Sequence, residues 1–405
     1  MKPKVALCMI VKNESHIIHE CLNSIYKYVD YWIISDTGST DGTQDIIQNF
    51  FKEKGIPGEL HQDEWKNFGH NRTLALRHAD GKADYVWMID ADDKVEGNFV
   101  FPEKMEADGY VLRIGKPDFS WWRTQIFKTD SKWEYRGVLH EYPACSIKEQ
   151  PVLTKLEGDY RVDARTLGAR NVGISTIEKY TRDAETLEKA LLDEPGNTRY
   201  QFYLAQSYFD SQQYEKAIDA YRKRAEMGGW AEEVYYSLYR IGIARALLDR
   251  PWPEIMSSLL DAYNYRPQRV EALVHISQVL RQKYNQPAAA FVFARHAAET
   301  PFPKEEILFV PDIVYKFHAL DEVAATAFYA GRPEIGYLAA KKLLEEGRVP
   351  PDQVQRVENN FQQYRHIMDQ IGEQRKQFEE QQKKVMEQKP QPKPMKFKSR
   401  KKVKT

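Results

Sequence analysis

The chain has 405 residues, 42% apolar and 29% charged, with 59 basic and 59 acidic side chains. That length allows two or three domains, and the composition excludes a chain disordered throughout and one drawn to nucleic acid by bulk charge. The zero balance hides an asymmetry: from Lys383 to Thr405 ten basic residues meet one acid, Glu387, a net of +9, so the rest of the chain carries −9.

Val5–Val11 reads as a buried strand. It ends at Lys12, too short for a secretory apolar core or a membrane span, and no later run nears the ~20 residues a spanning helix needs. Ser15–Tyr28 has helical spacing, with Ile17, Ile18, Cys21, Leu22 and Ile25 on one face. Tyr31–Ile34 is a second strand, closed by Asp36-Thr-Gly-Ser-Thr-Asp-Gly42, and Asp45–Phe51 continues as a helix. Asn71–Ala79 is another helix and Tyr85–Ile89 another strand. This βαβαβ alternation predicts a mostly parallel, Rossmann-like sheet with helices on both faces, and ligands at the carboxyl ends of its strands. Lys12-Asn-Glu14, Asp36–Asp41 and Asp90–Asp93 all follow strands and should line that one edge. Residues 105–160, with Trp121, Trp122, Trp133, Tyr135 and Tyr142, read as short strands and loops of the kind that meet an acceptor.

From about Thr176 helical spacing takes over. Tyr203, Leu238 and Leu273 lie 35 residues apart, close to the 34-residue tetratricopeptide period. Second-helix signatures recur at Ala217/Tyr221, Ala289/Phe293 and Gly336/Ala340, and the longer last step places an insertion near Thr300–His318. An irregular helical bundle is the alternative. Val354–Glu387 starts as a helix but runs short of apolar residues, and the Pro/Lys-rich stretch from Lys389 is expected to be disordered. The expected domains are 1–165 for the sheet, 166–368 for TPR-like helical repeats and 369–405 for a basic tail.

Cys8, Cys21 and Cys145 are too few and scattered for a disulfide framework or zinc cluster, which points to a reducing, cytoplasmic setting. Cys8 belongs in the first strand and Cys21 on the apolar helix face. Taken singly, the polar clusters have plain structural readings: Asn13-Glu14 as a loop and cap, Asp36–Thr43 as a turn and cap, Asp90–Asp93 as a turn.

Their order changes the reading. Strand–Lys-Asn-Glu14, strand–Asp36-Thr-Gly-Ser-Thr-Asp-Gly-Thr43 and strand–Asp90-Ala-Asp-Asp93 together resemble the family-two glycosyltransferases of GT-A fold. The helix phrase Glu14–Ser24, the segment Trp65-Lys-Asn-Phe-Gly-His-Asn-Arg-Thr-Leu-Ala75 and the His-Glu element Trp133–Tyr142 fit the same family, the last its tetratricopeptide-linked subgroup. The resemblance covers about residues 4–160.

It implies an inverting, metal-dependent hexosyl transfer from a nucleotide-sugar, a UDP-sugar first of all, to a protein, glycan or lipid-linked acceptor. A hard divalent cation, Mn²⁺ or Mg²⁺, neutralises the departing diphosphate. The resemblance places that metal on Asp92, assisted or replaced by Asp93, with His140 as a late ligand; imidazole favours Mn²⁺. His140 as a plain hairpin residue is the alternative. Asp90 falls nearer the ribose, Asn13, Glu14 and Asp36 at the nucleoside, and Arg72 at the base or diphosphate. For the general base the resemblance favours Asp118, with Glu141 or neither residue as the alternatives, because the sequence lacks the clear Glu-Asp pair the family often carries there. Trp121 and Trp122 stack an acceptor or fill the core.

The repeats suit a protein or glycan acceptor, a partner, or a second copy of the chain. The tail, with no nucleic-acid fold beside it, suits weak contact with an anionic membrane or plain solubility. Two other functions compete: a non-catalytic repeat scaffold, which the intact aspartates disfavour, and sugar-nucleotidyl transfer, disfavoured by the absence of glycine after the first strand.

Overall fold

The computed structural model describes residues 3–116, 119–169 and 173–387, so Asp118 and the basic stretch from Gln388 lie outside the described residues. The described residues form two compact units, divided between Gly229 and Trp230. The first opens with β1 (Val5–Val11), α1 (Ile18–Ile25), β2 (Tyr31–Asp36), α2 (Thr43–Lys54), β3 (Gly58–Gln62), α3 (Phe68–His78) and β4 (Tyr85–Met88). It continues with β5 (Lys94–Gly97), β6 (Gly109–Lys116), β7 (Phe119–Lys128), β8 (Trp133–Arg136), β9 (Tyr142–Cys145), β10 (Leu153–Lys155) and β11 (Tyr160–Asp163).

β1 is buried on both faces, as its unbroken apolar run requires. Val5, Leu7, Met9 and Val11 pack toward Ile18, Leu22, Ile47 and Phe51 of α1 and α2. Ala6 and Cys8 face Ala75, Leu76 and Ala79 at α3. Cys21 is also buried, so both cysteines take their expected places.

The main sheet runs β3-β2-β1-β4-β7-β6-β11-β5, with β10 also on β6. β3, β2, β1 and β4 pair in parallel. Beyond β4 the sheet is mixed: β7 is antiparallel to both neighbours. The expected parallel sheet is therefore one half of the real one, because β6 and β7 follow each other too closely for a parallel crossover. β3 has no apolar run to announce it; it is an edge strand, polar as edges usually are, with Gly58 lying flush under the Trp32 ring.

Register builds the functional edge. Val11 pairs with Asp36 and Asp36 with Gln62. The Ile89 N–H bonds the Cys8 carbonyl, so Asp90 leaves the sheet beside the same ends.

Helices α4 (Thr176–Asp193), α5 (Thr198–Asp210) and α6 (Tyr214–Glu226) belong to the first compact unit. The second unit holds α7 (Ala231–Leu247), α8 (Trp252–Tyr265), α9 (Glu271–Gln282), α10 (Pro287–Glu299), α11 (Ala319–Thr326), α12 (Pro333–Glu345) and α13 (Val354–Glu387). Tyr203, Leu238 and Leu273 fall on α5, α7 and α9, and the second-helix signatures on α6, α10 and α12. Small residues permit the close packing: a Cβ on Gly242 would lie 2.6 Å from Leu259. The expected insertion is the stretch 300–313, which precedes a π-helical turn at Val314–His318. Among the described residues no helix is long and apolar enough to cross a membrane.

Candidate active site

The loops after β1 and β2 are stitched together. Asn13, at φ +58°, donates its N–H to Ser39 Oγ at 2.9 Å, and its Oδ1 accepts from the Thr40 N–H at 2.8 Å. The Glu14 N–H donates to Thr43 Oγ1 at 2.8 Å. Asp41 accepts from the N–H groups of Ser15 and Thr43 at 3.0 and 3.1 Å. Asn13 thus spends its side chain on the loop.

Asp36 ends β2 and is 1% exposed. Its Oδ2 accepts three bonds, from Gly38 N–H at 3.1 Å, Ser39 N–H at 3.0 Å and Gln44 Nε2 at 2.7 Å. Gly38, at φ +101°, makes the turn that aims these amides back at the carboxylate. Oδ1 is buried and has no hydrogen-bond partner. A cavity of about 690 Å³ opens here, lined among others by Lys12, Asp36, Gln44, Gln62 and Trp65. Its Trp65 wall is held from behind: buried Asn71 accepts from the Lys66 N–H and donates to the Glu64 carbonyl, both at 2.9 Å.

Arg72, one residue on, is the electrostatic centre of the next group. Its Nη2 donates to Asp90 Oδ1 at 2.5 Å and its Nε to Glu141 Oε1 at 2.7 Å. Burial works against its charge, and the two carboxylates outweigh burial, so its pKa rises. Arg123 adds a second cation, with Nη2 3.7 Å from Asp90 Oδ2 and 3.6 Å from Asp93 Oδ2. Burial alone would raise the Asp90 carboxyl, but the two arginines hold it below the usual range. Asp93, 3% exposed, goes the other way: burial and then the Asp90 charge push it up to about 8.

Asp92 and Glu14 are brought together by a third segment. Asp92 Oδ2 accepts from the N–H groups of Leu167 and Gly168 at 3.0 and 2.9 Å, and both Glu14 oxygens accept from the Ala169 N–H at 3.2 Å. Burial is the main reason both carboxyls titrate high.

His140 lies in the β8–β9 turn, at φ +51°, with its ring stacked on Tyr203 at 3.8 Å. Among the described residues no three His, Cys, Asp or Glu side chains converge to hold a metal by themselves. The donor set still fits a hard cation. Asp93 Oδ2 is buried without a hydrogen bond, beside Asp92 and Asp90. A cation that keeps waters and shares its shell with substrate phosphates needs only one or two protein carboxylates. Trp121 and Trp122 are 40% and 38% exposed, so neither is core.

The sequence reading did not single out Gln44, Arg123 or Arg165, whose Nε donates to the Asp92 carbonyl at 2.7 Å. Gln44 sits in the first turn of α2, where it gave no motif signal. Arg123 was a legible anomaly, a lone cation following two tryptophans on a strand.

Comparison with known proteins agrees with this arrangement. Residues 6–153 match the model of Glycosyl transferase family 2. The SPbeta prophage-derived glycosyltransferase SunS of Bacillus subtilis (strain 168) is 25% identical over 236 residues, 55% of this chain and 53% of SunS. A TPR repeat-containing protein of Synechococcus elongatus is 37% identical over 92 residues, 23% of this chain and 21% of that protein. The lipopolysaccharide core biosynthesis glycosyltransferase LpsC of Rhizobium meliloti is 26% identical over 116 residues, 28% of this chain and 42% of LpsC. The chain thus spans about half the length, or less, of these curated relatives. With its strand-end carboxylates, its mixed sheet and the helical hairpins that follow, the part of the chain from residue 6 to 153 is a glycosyl transferase family 2 domain.

Proposed function

We propose that this chain is an inverting, metal-dependent glycosyltransferase that takes its sugar from a UDP-sugar. The observation that carries the donor assignment is Asp36. With Oδ2 saturated by three donors, the buried Oδ1 is the oxygen left without a partner, on a residue that lines the cavity. One carboxylate oxygen suits one ring N–H. Uracil offers a single N–H between two carbonyls; guanine offers a ring N–H next to an amino group and calls for two acceptors. Trp65 supplies an aromatic face for the base.

Arg72 and Arg123, the two cations beside Asp90, are the groups that would meet the diphosphate, and the Arg72 fork suits phosphate oxygens. Asp92 and Asp93 are the carboxylates that would hold Mn²⁺ or Mg²⁺, which neutralises the leaving diphosphate. His140 remains a further ligand in this reading, and its imidazole would favour Mn²⁺. For the base that takes the acceptor proton, the Glu141–Arg72 bond argues that Glu141 serves Arg72, which favours Asp118 over Glu141. The exposed Trp121 and Trp122 lie on the same β7 strand as Arg123 and offer the acceptor a surface. A protein or glycan acceptor fits best. The name of LpsC ties that relative to a lipopolysaccharide core, and repeat helices build concave protein-binding faces.

The test is calorimetric binding of UDP, GDP and CDP with Mn²⁺. Tightest binding of UDP, weakened in Asp36→Asn, supports the reading. Equal binding of all three, or none, defeats it.

A further inference from the structure

The Glu141 carboxylate reaches Arg72 only if the turn between β8 and β9 keeps an unusual shape. Gly137 and His140 both take left-handed backbone, at φ +113° and +51°. Glycine does so freely, but histidine rarely does, and a left-handed side-chain residue persists only where its surroundings impose it. The first turn of α3 closes on one side: a Cβ on Gly69 would lie 2.4 Å from the Gly137 carbonyl oxygen.

Helix α5 closes the other side. Arg199 donates to the His140 carbonyl twice, from Nε at 3.0 Å and Nη2 at 2.8 Å. Its guanidinium also lies 4.9 Å from the ring centres of Tyr142 and Tyr203. Tyr203 stacks flat on the His140 ring, and the Tyr200 hydroxyl accepts from the Val138 N–H at 3.2 Å. Contacts from α5 thus fall on Val138, His140 and Tyr142, leaving Glu141 turned toward Arg72.

We propose that Arg199, on the first helical hairpin, is a positioning residue for the donor site: it fixes the His140 turn, and through it the Glu141–Arg72–Asp90 alignment. The hairpin is then part of the transferase site as well as the start of a repeat array. This rests on the reading of Arg72 as a diphosphate contact. A lysine cannot replace the arginine, since the His140 carbonyl is gripped by two N–H groups of one planar fork.

The experiment is UDP binding by calorimetry, with Mn²⁺, to the full chain and to Arg199→Ala, Arg199→Lys, Glu141→Gln and the double variant Arg199→Ala/Glu141→Gln. Thermal melting accompanies each. The expected result is roughly tenfold weaker UDP binding in Arg199→Ala, little rescue by lysine, and no further loss when Arg199→Ala is added to Glu141→Gln, because coupled residues fail to add. UDP binding unchanged in Arg199→Ala, or the same extra loss in both backgrounds, overturns the proposal; the latter would mark a general stability effect. Wild-type chain that binds no UDP removes the donor-site reading itself, and the proposal with it. Binding by the wild type therefore separates the two failures.

Discussion

Glu141 Oε1 accepts from Arg72 Nε at 2.7 Å across 69 residues of sequence, and that bond joins the His-Glu turn to the Asn-Arg helix. Arg72→Ala would strand two carboxylates, one of them Glu141 with its side chain only 13% exposed. It is expected to cost about 3 kcal/mol of stability, the scale for breaking a buried pair. Arg72→Lys keeps the charge but cannot serve Asp90 and Glu141 at once. It should fold and bind UDP roughly tenfold more weakly, the worth of one charge-assisted hydrogen bond. Melting and calorimetry on the two variants check both statements.

Asp36→Asn tests which base the cavity accepts. Gly38, Ser39 and Gln44 all donate to Oδ2, so the new amide must keep its oxygen there and put its NH₂ at the unpartnered Oδ1 position. A donor then faces the uracil N–H. UDP affinity should fall by about tenfold or more, the cost of an unpaired buried group. Cytosine carries an acceptor at the same ring position, so the ratio of CDP to UDP affinity should rise. A variant that weakens both nucleotides equally contradicts this geometry.

Trp65→Ala should weaken UDP by about tenfold, within the range for base–aromatic stacking, while Trp65→Phe keeps most of the affinity. Titration of UDP into the three proteins measures it. Equal affinities would mean that the base does not use this wall.

Asp108 sets a pH limit on the fold. It is 4% exposed and accepts from Lys148 Nζ at 2.6 Å, Ser131 Oγ at 2.7 Å and the Val152 N–H at 2.9 Å. The Lys148 bond, followed by those from Ser131 and Val152, holds its carboxyl down at about 2. The folded pKa is lower than the unfolded one, so the stabilisation is complete above the ordinary carboxylate pKa. It is lost as pH falls from there through about 2. Asp108→Asn should cost about 2 kcal/mol at neutral pH by turning an amide N–H on a buried donor. Denaturant melts at pH 7 and pH 3 should show the gap between variant and wild type shrinking in acid.

How much of this was legible in sequence depended on period and on motif. The central strands and α1 were readable because β1 is an unbroken apolar run and α1 carries a clear stripe. β3 was not, since Gly58-Glu-Leu-His-Gln has neither an apolar run nor alternation. The mixed half was hidden as well, because strand direction there depends on hairpin connections rather than on side-chain pattern. Asp36, Asp90 and Arg72 were named from motif and now carry specific bonds. The segment Leu167–Ala169, which takes up Asp92 and Glu14 through backbone amides, left no mark in side-chain identity. Arg199 lay outside any transferase motif, on a helix that reads as a repeat.

The central claim is donor chemistry at the strand-end carboxylates, and one assay reaches it directly. UDP release is followed from a panel of UDP- and GDP-sugars with Mn²⁺, Mg²⁺ or EDTA, for wild type and Asp92→Ala. The account predicts slow, cation-dependent release of UDP from one UDP-sugar, lost in EDTA and reduced about a hundredfold in Asp92→Ala. No nucleotide-sugar cleaved under any metal condition, or Asp92→Ala as active as wild type, would contradict it.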